Sequence, residues 1–531
     1  METKYIFCAI VGGGMSGVSL AQAFLRKSVL KRDEFIILDK NADYGGVWES
    51  NTYPGVACDI PSHAYVMRYS LNPDWTMKYS EGKEIQQYYA GIADRSNLRQ
   101  LTYFHTLVIS ATWNESAALW EILVENSETK KRVLWKANVL YNCGGSFYRA
   151  KYASIPGIEN FKGQQWHTTA WPKDADLTGK TVAILGTGPS AAQVAPSIQP
   201  IVKKLYMYQR SSGHVLPRNN HQQPMWKRLL FRYCWPILWL YHVWFCISAE
   251  FTKPMFIKGT KQNTEIGNQA LAFLDEQIKD PVLKEKLRPK VAFGCKRPLF
   301  LDNWYPMFTK PNVELITEKP IKFTEKGLVS KHPDKITEEE RGEMPVGSYQ
   351  RPTTVTDDEV EREFDVLIWG TGFDMNNWGG HFDIFGLNNV KLSKLWGDFP
   401  RAYWGVAVSG FPNYFLIQGP NSGNYWASGP TVTEFQVNYH CKMIKRIKNE
   451  CKNGKYALHP DYKVQKEYTD WLFENQGTPA FLAPECATYH KSPSGATPMH
   501  NHHRMPTTWW KLRSPDMKEF KEIRLPMGKD I

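Results

Sequence analysis

The chain has 531 residues, too many for one ordinary hydrophobic core, so two or three domains are expected. Its 42% hydrophobic and 22% charged residues are those of a globular protein and exclude a disordered one. A net charge of +12 comes without any Lys/Arg run interleaved with aromatics, so nucleic acid is not the expected partner; anions carrying several phosphates would use the same charge.

The first element is a strand, "YIFCAIVGGG", close to Met1. No cleavable leader is expected ahead of it, and a cytoplasmic location follows as the expectation. The strand runs into Gly12, Gly14 and Gly17 and then a helical pattern. The first glycine permits a tight turn, the second lets backbone approach a pyrophosphate, and the third lets helix and strand pack closely. A lone G-x-G-x-x-G is weak evidence. Here the next strand, "EFIILDK", ends in Asp39, 22 residues beyond Gly17, where a carboxylate binds a ribose hydroxyl.

The pattern then repeats. "GKTVAILGTGPSAAQVAPSI" carries Gly186, Gly188 and, at the small third position, Ala191. The strand after it, "KKLYMYQRSS", ends in Arg210 rather than an acid; a cation there suits the 2′-phosphate of NADP, against the plainer reading of a solvated Arg. Two such turns give the expected fold: α/β, with two doubly wound Rossmann-like dinucleotide-binding domains, mostly parallel sheets and a helical insertion. The expected boundaries are 1–142 and 365–531 for a split FAD-binding domain and 143–364 for the NADP-binding domain, with the insertion at about 220–290. FAD with NADPH is the ordinary pairing, and such a protein moves a hydride from nicotinamide to flavin.

Other stretches narrow the reading. The nine cysteines form no C-x-x-C pair, which argues against a zinc site or disulfide framework and for a reducing compartment. Only Cys58 follows the first turn, where a flavoprotein disulfide reductase needs a pair. The apolar run 229–248 is interrupted by Arg232, Pro236 and His242, whereas a span needs about 20 apolar residues. A buried or surface-docking helix is expected there, with peripheral membrane contact the less favoured reading. The 20 Trp suit a dense core and wide apolar binding surfaces equally. His500, His502 and His503 in "MHNHHRM" read as solvated, no metal is expected, and "KITEEERGE" reads as an exposed loop.

Shortly before the second glycine turn stands "FKGQQWHTTAWP", with Phe161, Gly163, His167, Trp171 and Pro172 in the pattern F-x-G-x-x-x-H-x-x-x-W-P. It resembles the fingerprint of type I Baeyer–Villiger flavin monooxygenases. The resemblance extends through "GGVW", "YPGVACDIPSH", "KRPLFLDNWYPMFTKPNV", "DVLIWGTGFD", "FPNYFLIQGPNS" and "ECATYHK". Gly370 stands where that family usually has Ala, and Thr488 where it usually has Trp. The variant "DIPSH" is most similar to fungal members that oxidise biosynthetic intermediates.

The resemblance implies NADPH reducing FAD, a C4a-peroxyflavin formed with O2, and oxygen insertion beside a ketone carbonyl to give an ester or lactone. It implies flavin contacts at Gly46, Trp48, Asp59 and Tyr65, a catalytic cation at Arg297 held by Asp59, and Lys296 beside Arg210 on the NADP phosphate. His167 and Trp171 would couple movement of the NADP-binding domain to the flavin, as nicotinamide must reduce the ring and then move aside. The insertion and "GNYWASGPT" would line the substrate side, for a bulky apolar ketone such as a polyketide or terpenoid. The alternatives are a flavin monooxygenase acting on nitrogen or sulfur and, from another class, an inactive flavoprotein used as a binding module.

Overall fold

A computed structural model describes all residues except 333–334, 336–358, 376–381, 493–494, 496 and 526–531. Most of the acidic run "KITEEERGE" lies outside the described residues.

Strand β1 (Glu2–Val11) is buried on both faces at its C-terminal half. Cys8 and Ile10 enter one core while Ala9 and Val11 enter another, as the two-residue period of a strand requires. It pairs in parallel with β2 (Phe35–Leu38) and β6 (Arg132–Asn142). The sheet runs in the order Asp383–Phe385, β4 (Thr106–Asn114), β5 (Leu119–Asn126), β6, β1, β2, β3 (Thr102–Tyr103), and Tyr414–Leu416 also pairs with β6. The β4–β5 and β5–β6 pairs are antiparallel; the rest of the sheet is parallel. Helix α1 (Met15–Arg26) packs on one face through Val18, Leu20, Ala21 and Phe24.

The second sheet is parallel throughout, in the order Val313–Ile316, β9 (Lys204–Tyr208), β8 (Thr181–Leu185), Val366–Trp369, β7 (Gln164–His167). Val182 and Ile184 face one core, Ala183 and Leu185 the other. Each fully buried Ile or Leu contributes about 1.5–3 kcal/mol. Val366–Trp369 falls beyond the expected boundary at 364, so the second sheet reaches at least Trp369. The sequence placed that strand with the first sheet because its buried run carries no sign of which sheet it joins.

Two chain segments connect the sheets, and they pair with each other. Lys151 N–H donates to Gly372 O at 2.9 Å, Asp374 N–H donates to Arg149 O at 2.9 Å, and Ala150 bridges Phe373. The region 220–290 is helical. It holds α5 (Met225–Tyr233), α6 (Trp235–Glu250) and the helices Lys261–Gln277 and Pro281–Leu287. The apolar run 229–248 is thus two helices, broken at Cys234, with Pro236 in the first turn of α6. No helix among the described residues is long and apolar enough to cross a membrane.

Cys295 and Cys486 form a disulfide across 191 residues of sequence, with their Cα atoms 5.6 Å apart. This overturns the expectation of thiols only. That expectation rested on local spacing, which cannot register a pair that only the fold brings together.

Candidate active site

The first glycine turn leaves the C-terminal end of β1. Gly12 has φ +106°, and a Cβ there would lie 2.6 Å from Cys143 O, so neither the conformation nor the space admits a side chain. Gly17 is closed more tightly still, since a Cβ there would lie 1.8 Å from Gly12 O. Gly14 caps α1 without any side-chain hydrogen bond, and Gly46 approaches it backbone to backbone, a Cβ on Gly46 meeting Gly14 Cα at 3.0 Å. The first N–H groups of α1 thus face a bare cradle, the arrangement that receives a phosphate.

Asp39 is buried, and its carboxylate accepts from Gly13 N–H and, at 2.7 Å, from Asn41 N–H. Burial pushes its pKa above the usual range against the pull of those donors. It therefore fixes the turn, beyond the expected ribose contact. Trp48 lies beyond Gly46, in α2 (Val47–Ser50), and its indole N–H donates to Tyr65 OH at 3.3 Å, with the rings edge to face.

The second turn repeats this geometry. Gly186 has φ +108°, and a Cβ there would lie 2.5 Å from Gly370 O. Gly188 caps α4 (Pro189–Ile198), again without a side-chain bond. A Cβ on Gly370 would stand 2.7 Å from Ala191 Cβ, so the methyl group at 191 requires glycine at 370. Arg210 is exposed just past β9. Lys296 Nζ donates to Ser211 O at 2.9 Å and also to Ser211 Oγ, while Thr187 Oγ1 donates to Ser211 O at 3.5 Å. Two cations from separate loops therefore flank this turn.

Between the turns runs the segment that ends at Asp59. Gln193 of α4 pins it: Tyr53 OH donates to Gln193 Oε1 at 3.1 Å and Gln193 Nε2 donates to Ala57 O at 2.8 Å. Arg297 meets Asp59 as a two-pronged pair, Nε to Oδ2 at 2.9 Å and Nη2 to Oδ1 at 2.7 Å. The pair is not sealed in, with 40% of the Arg297 and 25% of the Asp59 side chain exposed. Asp59 drives the Arg297 pKa up further. Desolvation works to raise the Asp59 pKa, but the charge and N–H groups of Arg297 prevail and hold it below the usual range. Arg218 Nη2 donates to Cys58 O at 2.6 Å, a second guanidinium beside the pair.

A model of the flavin-binding monooxygenase-like family matches residues 6–295. The chain belongs to that family, in its type I Baeyer–Villiger branch. It is 35% identical over 514 residues to the FAD-binding monooxygenase BOA2 of Botryotinia fuckeliana, covering 96% of this chain and 92% of that one. It is 30% identical to a Baeyer–Villiger monooxygenase of Pseudomonas aeruginosa, covering 91% of this chain and 85% of the other. Among solved structures, closed cyclohexanone monooxygenase superposes with a TM-score of 0.81 at 22% identity, over 98% of this chain and all of that one. OTEMO complexed with FAD and NADP gives 0.81 at 21%, over 98% and 99%.

In this Baeyer–Villiger chain the two bare glycine cradles fit two pyrophosphates, and the cations sit at the second. The fingerprint residues bracket β7: Phe161 and Gly163 precede it, His167 ends it and Trp171 follows it. His167 is fully buried, its Nδ1 is within 2.9 Å of Thr169 Oγ1, and its ring packs against Tyr152 and Phe373 beside the paired connections. Burial lowers its pKa against the opposing influence of the Gly372 backbone. Trp171 stacks edge to face on Trp166; Phe161 packs on Phe364, and Gly163 leaves room for the Phe161 ring.

Three features were missed in the sequence. Tyr489 hydrogen-bonds Arg297; burial raises its pKa, and the guanidinium pulls the other way. His490 Nδ1 meets His500 Nε2 at 3.0 Å in the interior. The disulfide ties the Arg297 loop to the loop carrying Tyr489 and His490. His500 and His502 are buried, not solvated as expected from their Pro- and Gly-bordered loop. His500 and Tyr425 stack edge to face, with burial holding the His500 pKa down at about 4. Among the described residues no three His, Cys, Asp or Glu side chains converge on a metal-sized site.

Proposed function

We propose that the chain converts a ketone, NADPH, H⁺ and O2 to an ester or lactone, NADP⁺ and water. Bound FAD, reduced by NADPH, supplies the oxygen-transfer chemistry. Gly12, Gly14 and Gly17 admit the FAD pyrophosphate to the N-terminus of α1, and Gly46, Trp48 and Tyr65 wall the flavin side. Gly186, Gly188 and Ala191 do the same for NADPH at α4, and Arg210 with Lys296 takes the 2′-phosphate.

Arg297 supplies a permanent cation where negative charge must rest on an attacking oxygen and then on the oxyanion of the carbonyl adduct. Asp59 is a positioning residue: its two oxygens fix the guanidinium plane. His167 and Trp171 act through the paired connections, coupling motion of the second sheet to the first. The chain's aromatic richness supports a bulky apolar ketone, of polyketide or terpenoid type, as substrate.

The observation that carries this reading is the two-pronged Asp59–Arg297 pair, on a segment pinned by Gln193 of the helix that follows the second glycine turn. The test is the FAD-loaded protein with NADPH, ¹⁸O2 and a panel of bulky ketones and thioethers. Esters or lactones carrying one ¹⁸O are expected. Oxygenation of thioethers alone, or NADPH oxidation without any labelled product, contradicts it.

A further inference from the structure

The α5–α6 hairpin has an apolar outer face. Trp226, Trp235, Trp239, Leu240, Trp244 and Ile247 are all exposed, Trp235 at 68% and Trp244 at 58%. A contiguous apolar surface of this kind on a folded protein marks something that covers it. We propose that this hairpin docks the protein on an anionic lipid surface, lying in the boundary between headgroups and acyl chains.

Four observations point to a bilayer. The hairpin is held firmly from beneath, so it presents a fixed surface. Phe231, Leu238 and His242 are buried, His242 Nδ1 is 3.0 Å from His63 O, and the His63 ring packs edge to face on Phe231 and Tyr241. The helices are too short to span: at about 1.5 Å per residue, α6 covers about 24 Å against about 30 Å of hydrocarbon. Four exposed Trp on one hairpin is the composition of a surface that is part apolar and part wet.

The charge is one-sided. Lys227, Arg228 and Arg232 lie on α5, and no Asp or Glu occurs between Met225 and Ala249. Arg232 pairs with Asp74 from outside the hairpin at 2.6 Å, and Lys227 lies over the Tyr241 ring. Anionic headgroups complement such a face. A second copy would instead bring these cations against their own equivalents across a two-fold axis.

The test is flotation of the FAD-loaded full chain with phosphatidylcholine vesicles, with and without phosphatidylserine. Flotation is expected with both and should be stronger with phosphatidylserine. Quenching of tryptophan fluorescence by brominated lipids in the unmodified protein should report insertion directly. Trp235→Ser with Trp244→Ser should lower binding at least about tenfold, with NADPH oxidation retained. Lys227→Gln with Arg228→Gln should abolish the phosphatidylserine preference. A protein that stays in the buffer and is not quenched overturns the proposal. So does concentration-dependent dimerisation that Trp235→Ser abolishes in the absence of vesicle binding, which would give the face to a second copy.

Discussion

Lys296 reaches across to Ser211, one residue beyond Arg210, so two cations from loops far apart in sequence come close together in the chain's fold near the second glycine turn. A charge-assisted contact to phosphate is worth about 1.5–3 kcal/mol. Arg210→Ala should therefore raise the KM for NADPH about ten- to a hundredfold while leaving kcat and the KM for NADH nearly unchanged. Equal losses with both coenzymes would remove Arg210 from the 2′-phosphate. At this scale the glycine turns and the placing of Asp39 beside the first of them were legible from the chain alone, because strand, turn and helix are contiguous. Asp59 and Arg297 were legible only through resemblance. They lie 238 residues apart, and no spacing links them. Arg218 left no local signal, and although Tyr489 and His490 lie in the "ECATYHK" match, nothing in it showed their contacts with Arg297 and His500.

At the level of elements, the disulfide joins the loop before Lys296 and Arg297 to the loop before Tyr489 and His490. Its loss should cost about 2–4 kcal/mol through freedom regained by the unfolded chain. Cys295→Ser should therefore lower Tm relative to the untreated parent, and dithiothreitol should do the same to the parent but not to the variant. A variant melting with the parent, in the absence of reductant, would mean the bridge does not form in solution. Composition could not reveal it, since neither cysteine has a sequence neighbour to pair with. Pro236 interrupts the run in the sequence, but one helix was expected where the fold has two, and the outward turn of their Trp residues left no sign. An apolar run reads the same whether a core or another surface covers it. Val366–Trp369 went to the wrong sheet for a similar reason: both sheets offer β-rich partners, and only register distinguishes them.

Across the whole molecule, several histidines are buried neutral. Burial lowers His63 and His440 to about 3 and His500 to about 4, from an ordinary 6.5. The unfolded chain takes up protons below about pH 6.5 that the folded chain refuses until much lower pH. Their contribution to stability is thus complete above about 6.5 and is lost on acidification, by about 2 kcal/mol per ring at pH 5. Thermal melts should show Tm falling steadily from pH 7 to 5; a Tm independent of pH over that window would contradict neutral burial. The Asp59–Arg297 pair loses its contribution in the same direction, on acidification, but in a lower pH window. With the Asp59 pKa depressed, its contribution is present above the ordinary carboxylate range and is lost only as pH falls below it. Activity should not owe any change between pH 6 and 9 to that pair.

Two sheets, each with a bare glycine turn, are joined by paired connections, and a carboxylate clamps the Arg297 guanidinium. The central claim is that this side chain keeps an attacking oxygen negative. Its most direct test is a single turnover of the FAD-loaded Arg297→Ala protein with NADPH, O2 and an accepted ketone, following flavin absorbance and product mass together. Flavin reduction should persist and ester or lactone fall at least about a hundredfold. Undiminished ester formation by Arg297→Ala would contradict the account.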